Sequence, residues 1–126
     1  KEKSFEIMKD LNIDHMANSY ARELSGGQKK LLELGRSIIN DPGILLLDEP
    51  LAGVNPKLAE EILQIILNLS EKGISILMVE HNIEAVMKIS QRVIVLAEGM
   101  VIADDTPENV RTDEKVIEAY LGSDNE

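Results

Sequence analysis

Apolar positions along this chain follow two rhythms, a helical spacing of three to four residues and short unbroken runs bounded by turn residues. Residues 3–11 carry Phe5, Ile7, Met8 and Leu11 at helical spacing, and Asp14 is placed to cap a second short helix near 15–21. A clearer helix is predicted from Ser25 to about Asn40, with Leu31, Leu32, Leu34, Ile38 and Ile39 on one broad face, and Asp41-Pro42-Gly43 stops it. Ile44 to Leu47 is wholly apolar and runs into Asp48-Glu49-Pro50, the pattern of a fully buried strand in a parallel sheet. Asn55-Pro56 is an N-cap followed by proline at the first helical position. The helix it opens is predicted to reach about Lys72, burying Leu58, Ile62, Leu63, Ile65, Ile66 and Leu69 before Gly73 ends it.

A second buried strand is expected over 74–79, a helix over 83–90 and a third strand over 93–97, which Glu98-Gly99 turns into a fourth at 100–103. Thr106-Pro107 starts a short helical turn, and 113–121 reads as a last helix. The order is helices first, then strand–helix–strand–helix–strand–strand. That predicts an α/β fold: a helical segment at the N-terminus, a largely parallel sheet with flanking helices, and a C-terminal β-hairpin. A break after the helical first 25 residues is expected to separate subdomains, not independent domains.

Composition narrows the picture. With two Tyr, one Phe and no Trp in 126 residues, the core must be aliphatic. The absence of Cys excludes disulfides and thiolate metal sites and suits the cytoplasm. A formal charge of −10 argues against a broad electrostatic grip on nucleic acid. It leaves open a local anion site, because helix N-termini bind phosphate through backbone N–H groups. No apolar run approaches the roughly 20 residues that a membrane-spanning helix needs.

Three segments carry candidate chemistry. In Ser25-Gly26-Gly27-Gln28, Ser-x-x-Gln is a capping box, which accounts for a well-made helix start. Capping does not require two glycines, each of which weakens a helix by about 0.8–1 kcal/mol relative to Ala. Glycines there suit a ligand that approaches the bare backbone, and an anion is favoured by the helix dipole. Asp48 and Glu49 stand at the end of a strand, where open α/β sheets place ligands. Asp48 suits a hydrated Mg²⁺ and Glu49 a general base acting on water, whereas the bland reading is two acids in a surface turn. His81 follows the second strand on the same edge, placed to donate a hydrogen bond to a phosphate or to a water beside it. His15 has no partner motif and reads as surface.

Together these residues resemble the ABC ATPase family. Leu24-Ser25-Gly26-Gly27-Gln28 looks like its signature and Ile44 to Asp48 like its Walker B strand. Glu49 matches the catalytic glutamate, Ala52-Gly53-Val54-Asn55 the D-loop, and His81 the switch histidine. The resemblance implies two such ATPases sandwiching two ATP molecules. Ser25, Gly26, Gly27 and Gln28 would face the ATP of the opposing subunit, Asn55 would lie at the interface, and Asp48 would hold Mg²⁺ through water. Asn55 stands where many members carry Asp, and Ala52 where Ser is frequent.

No G-x-x-x-x-G-K-[ST] occurs in the 126 residues, so the phosphate-cradling P-loop is missing, as are the Q-loop and the adenine-stacking aromatic. The chain does not begin with Met, and the expectation is a fragment. Residues 1–40 would end the helical signature subdomain, 41–126 would run from Walker B to the C-terminus, and the Walker A half would be absent. Such a fragment is expected to be inactive alone. Pro50 to Pro56, Glu80-His81-Asn82 and Val116 to Gly122 resemble ATPases of branched-chain amino acid importers, and lipopolysaccharide-export ATPases share some of these features. The implied partners are a second ABC ATPase subunit, an integral membrane permease and, indirectly, a binding protein. The implied place is cytoplasmic, on the inner face of the cell membrane. Two other readings are the head of a chromosome-maintenance or DNA-repair ATPase and a non-catalytic interaction module.

Overall fold

The computed structural model describes residues 1–121, and the chain divides between His81 and Asn82 into two units. In the first, α1 (Glu2–Asp10) leads to α2 (Gly26–Ile38), β1 (Ile44–Asp48), α3 (Pro56–Glu71) and β2 (Ser75–Val79). Between α1 and α2 the expected helix over 15–21 does not form. Two isolated 3-10 turns, Asp14–Met16 and Ala21–Glu23, take its place, and the Asp14 side chain caps neither. Tyr20 explains the break: its backbone is extended, and its N–H is taken by the Glu23 carboxylate at 3.0 Å, so the chain restarts there.

α1 and α2 meet at Gly35, where a Cβ would come within 2.8 Å of Leu11 Cδ1, so a larger residue would require the Leu11 side chain to shift. α2 stops at Ile38, two residues short of the expected end, as Asp41 enters the left-handed region at φ 51°. Asn55 caps α3 by accepting from Leu58 N–H at 2.9 Å, and α3 buries Ile62, Leu63, Ile66 and Leu69. With Leu11, Ile13, Leu24, Leu31, Leu34, Ile38, Leu45 and Leu51 these form an aliphatic core.

β1 and β2 pair in parallel, from Ile44 opposite Ser75 to Asp48 opposite Val79. The expectation of fully buried strands is overturned. Leu45 is buried, but Ile44, Leu46, Leu77 and Val79 are 66%, 70%, 57% and 58% exposed. Alternating side chains point to opposite faces. The face carrying Leu45 meets the core, and nothing among the described residues covers the other.

In the second unit, Asn82 caps α4 (Ile83–Ile89), and β3 (Val93–Ala97) pairs antiparallel with β4 (Met100–Asp105). The expected C-terminal hairpin thus forms, and among the described residues the partner of β3 is β4. Glu98 and Gly99, at φ 49° and 78°, make the predicted tight turn, and a register shift beyond Val95 bulges the hairpin. α5 (Pro107–Arg111) is capped by Thr106. The helix expected over 113–121 is instead α6 (Glu114–Val116) followed by a wider π-type turn, Ile117–Leu121. Val93, Val110 and Val116 form this unit's core, against Val86, Met87, Val95 and Ile102. Tyr120 donates its hydroxyl to the Leu96 carbonyl, which pins the turn to β3. Gly122 lies outside the described residues.

Candidate functional site

The parallel pairing of β1 and β2 brings their C-terminal ends side by side. Glu49 N–H donates to the Val79 carbonyl at 2.8 Å, carrying the ladder one residue past β1. The backbone then turns sharply, with Glu49 at φ 46°. A left-handed conformation in a residue with a Cβ costs on the order of 1–3 kcal/mol and persists only where neighbours hold it. Three groups do so. Lys30 Nζ, from α2, lies 3.4 Å from the Glu49 carbonyl and 3.3 Å from that of Pro50. The Glu80 carboxylate accepts from Leu51 N–H at 2.8 Å and from His81 N–H at 3.2 Å. Ala52 N–H closes the turn on the Glu49 carbonyl at 3.1 Å.

The Glu49 and His81 side chains meet on this rim, with His81 Nδ1 3.5 Å from Glu49 Oε1. Both are exposed, so the pair can reach a substrate from solvent. Asp48, also exposed, ends the uncovered face of β1 in line with Ile44 and Leu46. A single exposed carboxylate fits Mg²⁺, which binds through one or two carboxylates and keeps several waters. Among the described residues no three acids or histidines converge as a metal cage.

At the start of α2 the capping box is complete: Gln28 N–H donates to Ser25 Oγ at 3.2 Å, and Ser25 N–H to Gln28 Oε1 at 2.9 Å. A serine hydroxyl that accepts keeps a proton to donate. The two glycines differ. A Cβ on Gly26 would meet nothing within 4 Å, whereas one on Gly27 would come within 2.5 Å of Leu58 Cδ2 in α3. Gly26 therefore leaves bare backbone at a positive helix end, the feature an anion needs. Gly27 lets α2 and α3 approach. Asn55 is occupied in capping α3.

The sequence reading missed three residues. His15 is exposed as expected, but its Nε2 lies 3.4 Å from Gln28 Nε2, thirteen positions away. Lys30 belongs to no motif, and Glu80 stands only in a stretch that carries a resemblance, without a task. No local pattern marks them, because each acts on a segment distant in the chain.

Residues 1–52 match the family model described as ABC transporter, and residues 100–126 match that of the branched-chain amino acid ATP-binding cassette transporter. A probable branched-chain amino acid transport ATP-binding protein, LivG, of Archaeoglobus fulgidus is 43% identical over 122 residues, covering 97% of this chain and 48% of that protein. The high-affinity branched-chain amino acid transport ATP-binding protein BraF of Pseudomonas aeruginosa is 40% identical, over 91% of this chain and 46% of its own length. The lipopolysaccharide export system ATP-binding protein LptB of Haemophilus influenzae is 36% identical, over 97% and 51%. Among solved structures, the ADP conformation of MJ1267, an ATP-binding cassette of an ABC transporter, superposes with a TM-score of 0.86 at 40% identity, over 97% of this chain and 50% of that one. The chain thus spans about half the length of the relatives it matches. Its α/β fold is part of an ATP-binding cassette, and the chain belongs to the ABC transporter family.

Proposed function

We propose that this chain is the portion from the signature to the C-terminus of an ATP-hydrolysing subunit that drives a membrane transporter importing branched-chain amino acids. The observation that carries it is the convergence of Glu49 and His81 at 3.5 Å on the ends of two paired parallel strands, with Asp48 beside them. In this reading Glu49 takes the proton of the attacking water and His81 donates to the γ-phosphate. Asp48 would hold Mg²⁺, which would neutralise phosphate charge when bound. Ser25, Gly26, Gly27 and Gln28 face the ATP of a second ATPase subunit, and Asn55 lies at the interface between the two. The bare backbone at Gly26 supports that anion site, while Gly27 contributes through packing.

Residues 1–40 end the helical signature subdomain, and 41–126 run from Walker B to the C-terminus. The unpaired edges of β1 and β2 are where the Walker A half would add its strands, and packing from that half would cover the apolar face that ends at Asp48. Import of branched-chain amino acids is supported by the match over residues 100–126 and by the names of the archaeal and Pseudomonas relatives. Those names also favour transport over a chromosome-maintenance head. The partners follow: a second ATPase subunit, a permease and, indirectly, a binding protein, with the subunit at the cytoplasmic membrane face. No helix among the described residues is long and apolar enough to cross a membrane.

The test uses the complete cassette, in which the Walker A half precedes this chain. Glu49→Gln should retain ATP binding and lower the hydrolysis rate on the order of 100-fold or more, the share a general base contributes. Turnover near that of the unaltered protein would remove Glu49 from the chemistry.

A further inference from the structure

Glu80 has no assigned part in the proposed chemistry, yet it connects the two loops that carry it. Along β2, Ile76 and Met78 are partly buried, alternating with exposed Leu77 and Val79. Glu80 continues that alternation and is also partly buried, so it belongs to the helix-packed side of the sheet and not to the open rim. A carboxylate there is unusual beside the buried Leu51, and its hydrogen bonds account for it. One oxygen accepts from Leu51 N–H at 2.8 Å, two residues beyond Glu49; the other accepts from His81 N–H at 3.2 Å. Each loop is therefore held in part by one oxygen of this carboxylate.

We propose that Glu80 is a positioning residue, which holds the Glu49 loop against the His81 loop and so sets the separation of the two side chains. This rests on the roles proposed above for Glu49 and His81. Glu49 sits at φ 46°, a conformation that relaxes unless both flanks are held. On the N-terminal flank the Val79 carbonyl holds the Glu49 N–H; on the C-terminal flank Glu80 holds the Leu51 N–H. Both anchors come from the end of β2. Lys30 grips the intervening carbonyls from α2, at the longer distances of 3.3 and 3.4 Å. Losing the Glu80 anchor lets the Glu49 peptide leave its left-handed conformation and swings the carboxylate away from His81. Nucleotide affinity does not pass through that turn.

The experiment compares Glu80→Ala, Glu80→Gln and Glu49→Gln in the complete cassette, measuring kcat, KM for ATP and thermal midpoint. Glu80→Ala should lower kcat roughly 10- to 100-fold, the scale on which small displacements of reacting groups act. KM for ATP should change much less than kcat. Glu80→Gln keeps one accepting oxygen but opposes an amide N–H₂ to the second backbone donor, so its kcat should fall between the two. It is nearly isosteric, and it decides the matter if Glu80→Ala does not fold. Unchanged kcat in Glu80→Gln and Glu80→Ala would overturn the proposal, and so would a fall in kcat that merely tracks a lowered thermal midpoint. Should Glu49→Gln abolish turnover while the Glu80 variants keep it, the positioning role alone falls. Should Glu49→Gln keep turnover, the catalytic assignment falls and takes this inference with it.

Discussion

Gly26 and Gly27 are neighbours at one helix start, and the folded chain uses them differently. Adding a methyl at Gly26 meets open space, so the change recovers helix propensity of up to about 1 kcal/mol. At Gly27 the same methyl meets Leu58 Cδ2 at 2.5 Å, so the end of that side chain must turn aside from its packed position. Gly27→Ala should therefore be less stable than Gly26→Ala, by on the order of 1 kcal/mol. Urea unfolding midpoints measure the difference, and equal midpoints would show that Leu58 yields freely. The capping box at Ser25 was legible because both of its hydrogen bonds join residues three apart. The division between the glycines was not, since it depends on α3, thirty residues further on.

At the scale of an element, the β3–β4 hairpin shows how a readable turn can hold an unreadable clamp. Glu98-Gly99 signals its turn locally, because positive φ at both positions is what the tight hairpin needs. The pairing of Arg92 with Asp104 depends on register. The guanidinium donates to both carboxylate oxygens at 2.7 Å, and these hydrogen bonds hold the Asp104 carboxyl below its usual range. Asp105 is also lowered, by Asn109 Nδ2 at 2.9 Å and by the Thr106 N–H. A carboxyl lowered on folding contributes stability above its unfolded pKa and loses it as pH falls through the lowered folded value. Thermal melts should accordingly lose stability as the pH drops below the ordinary carboxylate range, and Asp104→Asn should flatten that part of the profile. The effect should be small and weaken with salt, because the pair is exposed. An unaltered acid profile in Asp104→Asn would assign the acid sensitivity elsewhere.

At the scale of the whole molecule, the uncovered face of the parallel sheet dominates. Ile44, Leu46, Leu77 and Val79 present a contiguous aliphatic surface over two strands whose outer edges are also unpaired among the described residues. Such surfaces drive association. The 126-residue chain by itself should self-associate, and Leu46→Lys with Leu77→Glu should shift it toward monomer in sedimentation velocity. A chain that stays monomeric at high concentration without those changes would mean the face finds cover. The apolar runs by themselves pointed toward fully buried strands, whereas the absent Walker A half implied strands at 44–48 and 74–79 that lose neighbours and a sheet edge prone to self-association. The unbroken run Ile44–Leu47 is what a strand covered on both sides looks like, and it does not state whether both covers belong to the same chain.

Local rules therefore determined the helix starts at Ser25, Asn55 and Thr106, the hairpin turn, and the candidate chemistry of Asp48, Glu49 and His81. Each depends on residues within a few positions, where backbone geometry fixes who can meet whom. Tertiary structure decided the rest. It set Glu49 against His81, joined the Glu80 carboxylate to both of their loops, gave Gly27 a packing reason and broke the helix expected over 15–21. It also altered the meaning of the Ser25-to-Gln28 segment, where one glycine stays open and the other is filled by a neighbour. These contacts join segments far apart in the chain. Their energies come from which faces are covered, a quantity that no window of sequence contains.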